Sequence, residues 1–436
     1  MTNSDLSRRG FLSGAALAAG GAGLASLATA CGGSGSGDKN SIRVLAWSNG
    51  GTIDSNFKNR VTAFNAAQHG KVKATLQLLP YDQYWQKIDL AYSAHKPYDV
   101  YYWDVQAYAH YKKGLLRDLQ PTIDRTPLAD PAKYPDRLFT PWKFDGHDMY
   151  GFPDNVQTMA LFYNKDLFDK AGVKYPDDSW TWDDAMAAAA KLTMRKGKKT
   201  TQWGIHIGDL SVWWGLQTLS WAQGTAFTDK VLEPKTFQMD DDRNVASIAF
   251  VHDLIYKHNL APTPEETSSV AQDVGVFETG KVAMYPAGGW QVAAYQKLGF
   301  NWAMAPLPKF NNKRVAPYWL GGWMIPKSGQ AQDAAIDFAR WSATDFQTRM
   351  AKDHDWIPVR TADRGSAAMV HGMPAGFKES VAQLETARVG DIYHSNNLQI
   401  VDEVFTPTFE QVWNNKLAPK KAAEQIQTKG NALLKS

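Results

Sequence analysis

The chain has 436 residues, 44% of them hydrophobic and 21% charged, with a formal charge of +3. This is too long for one ordinary core and predicts two domains. The near-balance of charge leaves no basic stripe for nucleic acid, and after residue 30 no apolar run has the length of a membrane span.

At the N-terminus, Ser7-Arg8-Arg9-Gly10-Phe11-Leu12 precedes an Ala/Gly/Leu stretch to Ala30, the charged-then-apolar layout of an export signal. It resembles the twin-arginine (Tat) type of signal peptide, in which Arg8 and Arg9 are read by the export machinery. Cys31, the single cysteine, stands where the apolar run stops, so an intramolecular disulfide is excluded. The arrangement resembles a bacterial lipoprotein signal: cleavage after residues 1–30 leaves Cys31 to carry a lipid and to anchor the protein on the outer face of the cell membrane. The alternative, an uncleaved membrane anchor, is opposed by the Gly and Ser residues that interrupt the run. Residues 31–40, with GGSGSG at 32–37, read as a flexible linker. Removing residues 1–30 takes away Arg8, Arg9 and Asp5 and leaves a net charge of +2.

The folded body begins near Ser41. Ile42 to Trp47 reads as a buried strand followed by turn residues, and Ile53, Phe57, Val61 and Phe64 then recur at helical spacing. Val72, Ala74, Leu76 and Leu78 alternate in a second strand ended by Pro80. A helix through Tyr84, Ile88 and Tyr92 follows, then a third strand from Tyr98 to Trp103, with Gly114 stopping the next helix. Strand alternating with helix predicts a parallel sheet covered on both faces. Ligands of such sheets sit outside the carboxyl ends of the strands, which here are Trp47-Ser48-Asn49, Pro80-Tyr81 and Trp103-Asp104. In the middle region Thr181 and Asp184 fit a capping box, and Asp240 to Asp242 open a helix through Val245, Ile248, Val251 and Ile255. The KGKK run at 196–199 reads as a solvated loop.

Enzyme signatures are missing: there is no HExxH, paired CxxC, GxSxG, Walker loop or dinucleotide fingerprint. Neither a metal nor a cofactor is called for. A glycosidase carboxylate pair stays open, because such pairs are adjacent only in space. What stands out is tryptophan, 17 in all, often beside Gly, Asp or Asn, as at Trp103, Trp213-Trp214, Trp221, Trp290, Trp319, Trp323 and Trp356. An indole face suits the apolar C–H face of a pyranose, whose hydroxyls then need polar partners. Two Gly-Gly-Trp units occur, at 288–290 and 321–323. Paired glycines let backbone come close to a ligand and aim the indole at it; the alternative is a core indole beside a tight turn.

Four stretches stand in an order that resembles family 1 extracellular solute-binding proteins: Phe152 to Gln157 leading into ALFYNKDLFDKAGV (160–173), TWDDAMAAAAKLT (181–193), FETGKVAMYPAGGW (277–290), and residues 321–352. These are the substrate-capturing lipoproteins of ATP-binding-cassette sugar importers, related to maltose-binding protein. The resemblance covers nearly all of the mature chain. It implies an α/β, two-lobed periplasmic-binding-protein-like fold of type II, with a hinge between a lobe of residues 41–155 plus 321–365 and a lobe of 156–320 plus 366–436. It also implies a non-enzymatic, extracytoplasmic monomer that closes on a carbohydrate and delivers it to permease subunits.

Family contacts carry over to Trp47, Ser48 and Asn49 after the first strand, Tyr84 on the following helix, and Trp103 with Asp104 after the third strand. They carry over further to Asn155 and Gln157 at the first crossover, Trp213 or Trp214 in the second lobe, the stacking Trp290, and Gly321, Gly322 and Trp323 at the next crossover. Three rival readings remain: a secreted carbohydrate-active enzyme, a cell-surface adhesin, and a binder of a phosphorylated polyol such as glycerol 3-phosphate. The last needs converging arginines or helix N-termini, for which Arg360 is the main candidate.

Overall fold

The computed structural model describes residues 39–103, 105–271 and 275–436. The signal segment 1–30, the lipidation candidate Cys31 and the carboxylate Asp104 lie outside the described residues.

The apolar run after Ser41 forms β1 (Ser41–Ser48), which pairs in parallel with β2 (Lys73–Pro80) from Ser41↔Lys73 to Ser48↔Pro80. On its other edge β1 pairs in parallel with β3 (Val100–Tyr102). The connecting helices are α1 (Gly51–Ala67) and α2 (Tyr81–Ser93). α1 buries Phe57, Val61 and Phe64, the predicted helical stripe. The parallel pattern ends there. β4 (Phe152–Asn164) and β9 (Pro317–Met324) run antiparallel to each other, and β9 runs antiparallel to β3. The sheet is therefore mixed, in the order β10 (Ile357–Pro358), β4, β9, β3, β1, β2, rather than parallel throughout, and β5 (Met194–Lys196) and β6 (Lys199–Gln202) form a separate antiparallel pair. Apolar content alone cannot separate the two cases, because a strand buried on both faces reads the same in either direction.

β4 is the spine of the molecule. Its first half pairs with β9, from Phe152↔Trp323 to Thr158↔Tyr318. Its second half pairs with β7 (Met284–Gly288) and β8 (Trp302–Ala305), and β10 joins at Asn155 and Val156. Strand alternation sends Ala160 and Phe162 into the core that also holds β1 to β3, and Met159, Leu161 and Tyr163 into a second core. That second core is closed by helices Trp182–Leu192, Trp213–Ala222, Asp242–Tyr256 and Pro419–Leu433.

The expected local signals are present. Thr181 and Asp184 form a reciprocal capping box, Asp241 caps the helix starting at Asp242, and Gly114 takes a left-handed φ of 67°. No helix among the described residues is long and apolar enough to cross a membrane.

Candidate ligand-binding site

A cavity of about 510 Å³ opens at the carboxyl ends of β1 to β3 and runs across the middle of β4 and β9, within the size range of small-molecule sites. One wall is aromatic and comes from the β1–β3 side: Trp47, Tyr81, Tyr102, Trp103 and Trp356. Trp47 stands edge-on to Phe57, Tyr81 and Tyr102, at centroid distances of 5.8, 6.2 and 5.9 Å, and Tyr102 stacks on Trp356 at 5.8 Å. Behind Trp356 lies the buried Arg60 guanidinium, 4.9 Å from the ring centroid.

Arg60 is fully buried and ion-paired with the equally buried Asp154. Asp154 Oδ2 also accepts from Trp323 Nε1 (2.8 Å) and Ser342 Oγ (2.7 Å). The next residue, Asn155, donates to Asp154 Oδ1 (2.6 Å) and to the Tyr102 hydroxyl (2.7 Å). A buried charge is tolerable only with such partners. The network holds the floor of the cavity, because Asn155 and Tyr102 both line it.

The opposite wall is Trp213, Trp214, Trp290 and Trp319. Trp214, Trp290 and Trp319 pack edge to face at 5.8, 5.0 and 5.5 Å, a mutually supporting triad. Two segments that carry it are tied together by Asp209. Its Oδ2 accepts from the Gly288 N–H at 2.8 Å, so the turn before Trp213 holds the strand end before Trp290. Burial pushes the Asp209 carboxyl up to about 7, against the opposing pull of that hydrogen bond. At Gly288 an added Cβ would lie 2.2 Å from the Trp290 ring; glycine is what lets this indole fold back over its own backbone.

Of the residues singled out from sequence, the cavity brings together Trp47, Asn49, Trp103, Asn155, Gln157, Trp213, Trp214, Trp290 and Gly321. Five others are placed elsewhere. Tyr84 is fully buried beneath the wall and donates to the Tyr102 carbonyl at 2.6 Å. Ser48 turns its hydroxyl to Asp54 (2.8 Å), at the start of α1. Arg360 is ion-paired with Asp363 and donates to Thr348 Oγ1 (2.6 Å), away from the cavity. Trp323 is fully buried among Phe57, Tyr102 and Phe338, so its indole is core. Gly322 lies in the strand beside it, where a Cβ would meet the Phe152 carbonyl at 2.1 Å.

Sequence reasoning did not pick Tyr102, Trp319, Trp356 or the Asp391 to Asp402 segment. Trp319 and Trp356 stood in the tryptophan excess, which was the available signal. The lining includes Asp391 and Asp402 but, among the described residues, no Lys, Arg or His. No group of three or more His, Cys, Asp or Glu that could hold a metal ion occurs among the described residues.

Comparison with known proteins gives this geometry its class. The family described as bacterial extracellular solute-binding protein matches residues 48–347. The chain belongs to that family. As a solute-binding protein it binds its ligand rather than transforming it. The arabinooligosaccharide-binding protein of Bacillus subtilis is 24% identical over 314 residues, 70% of this chain and 69% of that protein. The sn-glycerol-3-phosphate-binding periplasmic protein UgpB of Escherichia coli K12 is 25% identical over 316 residues, 65% of this chain and 66% of its own length. Among solved structures, the ABC substrate-binding protein Lmo0181 of Listeria monocytogenes in complex with cycloalternan superimposes with a TM-score of 0.79 at 22% identity, over 91% of this chain and all of that one. The fold is thus the two-lobed α/β architecture of type II periplasmic binding proteins, with the cavity between aromatic walls at the strand crossovers.

Proposed function

We propose that this solute-binding protein captures a neutral carbohydrate, an oligosaccharide, and delivers it to the permease of an ABC importer. The observation that carries the reading is the pair of facing aromatic walls with no cation between them among the described residues. Pyranose faces stack on indoles, while Asn49, Gln106, Asn155, Asp391 and Asp402 supply polar partners for hydroxyls. The buried Trp47 Nε1 and Gln157 Nε2 have no acceptor among the described residues. A buried donor without an acceptor costs about 1–3 kcal/mol, which a ligand hydroxyl oxygen would relieve.

Capture works by hinge closure, the lobes being residues 41–155 plus 321–365 and residues 156–320 plus 366–436. The crossovers of β4 near Asn155, β9 near Leu320 and β10 at Pro358 support these boundaries, since β10 pairs with β4 at Asn155. Few segments then absorb the bend while each lobe moves as a rigid body. Asp104 belongs to this site on the resemblance alone. Cys31 anchors the protein to the outer face of the membrane; its replacement by Ala should release the protein from the membrane fraction, and equal partitioning of the two forms would remove the anchor from this reading.

The relative that binds sn-glycerol 3-phosphate keeps a phosphorylated polyol in play as a second reading, and the lining opposes it: Asp391 and Asp402 repel an anion and no cation among the described residues offsets them. Titration calorimetry over mono-, di- and trisaccharides and sn-glycerol 3-phosphate decides. Saturable heat with a neutral saccharide and none with the phosphate is the expected result. The reverse outcome, or release of reducing ends at enzyme-like rates, overturns it.

A further inference from the structure

Behind the main cavity lies a smaller space of about 40 Å³ that shares Ile53, Gln157, Trp290 and Trp356 with it. At roughly 10–15 Å³ for each water-sized group it has room for about three or four such groups, enough for one small substituent and far too little for a sugar ring. Two polar side chains line this space with atoms that lack partners. Asp355 is more than nine-tenths buried, and its Oδ2 accepts no hydrogen bond among the described residues. Gln157 Nε2 is a buried donor in the same condition. One is an acceptor and the other a donor, the pair that a single hydroxyl satisfies by giving its proton to the first and accepting from the second.

Two neighbouring polar groups are committed elsewhere. The Asn56 amide donates to the Asp355 carbonyl, and His354 Nε2 faces the Ala368 carbonyl at 3.0 Å. Gly289 lines the space as well, and a Cβ there would take up part of it, 3.3 Å from the Thr158 carbonyl oxygen and 3.6 Å from Gln157 Oε1. Two indoles, Trp290 and Trp356, flank it, so a group entering between them is attached to a ring stacked in the main cavity.

Resting on the carbohydrate reading, we propose that this annex receives one exocyclic hydroxymethyl group of the ligand, held between Gln157 Nε2 and Asp355 Oδ2, and so selects hexose over pentose at this subsite. Burial supports the role independently. It pushes the Asp355 carboxyl up to about 6 against the attraction of Arg60, as expected of a carboxylate whose full solvation is replaced only when a donor arrives. The Asp353 charge raises it further, while a side-chain hydrogen bond with Asn59 and the Arg349 charge lower it, and Oδ2 is the oxygen left without a partner.

The test is calorimetry with matched sugars that differ only in the hydroxymethyl group: D-glucose and D-xylose, D-galactose and L-arabinose, cellobiose and xylobiose. The hexose member of a binding pair should be favoured by roughly tenfold to a hundredfold. D-glucuronate, with a carboxylate in place of the hydroxymethyl, should be rejected by Asp355. Gly289→Ala should narrow the hexose-to-pentose ratio by filling the annex, and Asp355→Asn should restore part of the uronate binding. Equal affinity for both members of a binding pair overturns the annex and leaves the carbohydrate reading intact. Failure of every saccharide to bind overturns both. If Asp355→Asn does not fold, the ratio in Gly289→Ala still decides, and an unchanged ratio there counts against the proposal.

Discussion

The molecule contains the same tripeptide twice, and its two copies meet opposite fates. Gly288-Gly289-Trp290 leaves the end of β7 through a short turn, and its half-buried indole joins Trp214 and Trp319 in the cavity wall. Gly321-Gly322-Trp323 stays inside β9, hydrogen-bonded between β3 and β4, and its indole is fully buried. The glycines also differ in purpose. Gly288 makes room for its own tryptophan, whereas Gly321 makes room for neighbours: a Cβ there would lie 1.9 Å from the Tyr102 hydroxyl and 2.4 Å from the Asn155 amide nitrogen. Along β9, Trp319, Gly321 and Trp323 share a face, and the cavity runs along it only as far as Gly321. Beyond that point Phe57 of α1 and Phe338 of helix Gln332–Ala343 cover the sheet. A local motif sets what a backbone can do; its distance from the end of the strand decides what the side chain meets.

The sharpest way to break this contrast is to truncate both indoles. Trp323→Ala should cost about 3–5 kcal/mol of folding stability, because it empties a packed site and removes one of the donors to Asp154. Denaturant unfolding measures it, and a loss below about 1 kcal/mol would place Trp323 outside the core. Trp290→Ala should show the complementary pattern, about 1–3 kcal/mol in ligand affinity and much less in stability. A variant that melts far lower yet binds normally would reverse the assignment.

Gly288→Ala tests the same wall without removing a ring. The added methyl overlaps the Trp290 indole and must swing it away from Trp214 and Trp319. Affinity should fall by about 1–2 kcal/mol, with a change in tryptophan emission as the triad opens. Unchanged affinity would mean that the fold-back of this ring is not what the ligand reads.

The contrast also explains what was legible in the sequence. Helical and strand periodicities, the capping box at Thr181 and the αL stop at Gly114 are set by residues within a few positions of one another, and each appears in the fold as read. Trp47, Asn49 and Trp103 were traceable because a strand's carboxyl end can be located from the strand itself. The direction of β4 and β9 was not, since nothing local distinguishes an antiparallel buried strand from a parallel one. Trp356 reaches the cavity only through β10, a two-residue strand whose partner lies about two hundred positions earlier. The Arg60–Asp154 pair joins residues 94 apart, and neither stands in a motif that announces a partner. The burial of Trp323 depends on Phe57 and Phe338, which come from helices on either side of it in the chain.

The smallest effect expected concerns how the Trp290 strand end is pinned. Asp209 titrates near 7 in the folded protein and near 3.8 when unfolded, so between those values the folded state binds the proton more tightly. Stability from this group is complete below about pH 3.8 and is lost as the pH rises through 7. Asp209→Asn abolishes the titration and keeps an oxygen able to accept from the Gly288 N–H. Wild type and variant should therefore separate as the pH rises from about 5 to 7, the variant gaining on the order of 1 kcal/mol or more, and hold a constant difference above that. The measurement is the difference in Tm between the two proteins from pH 5 to pH 8. A constant difference across that range would show that the Asp209 carboxyl does not change its charge there. The strand end before Trp290 would then be held by an ionised carboxylate throughout, and its grip on the second wall would be independent of pH.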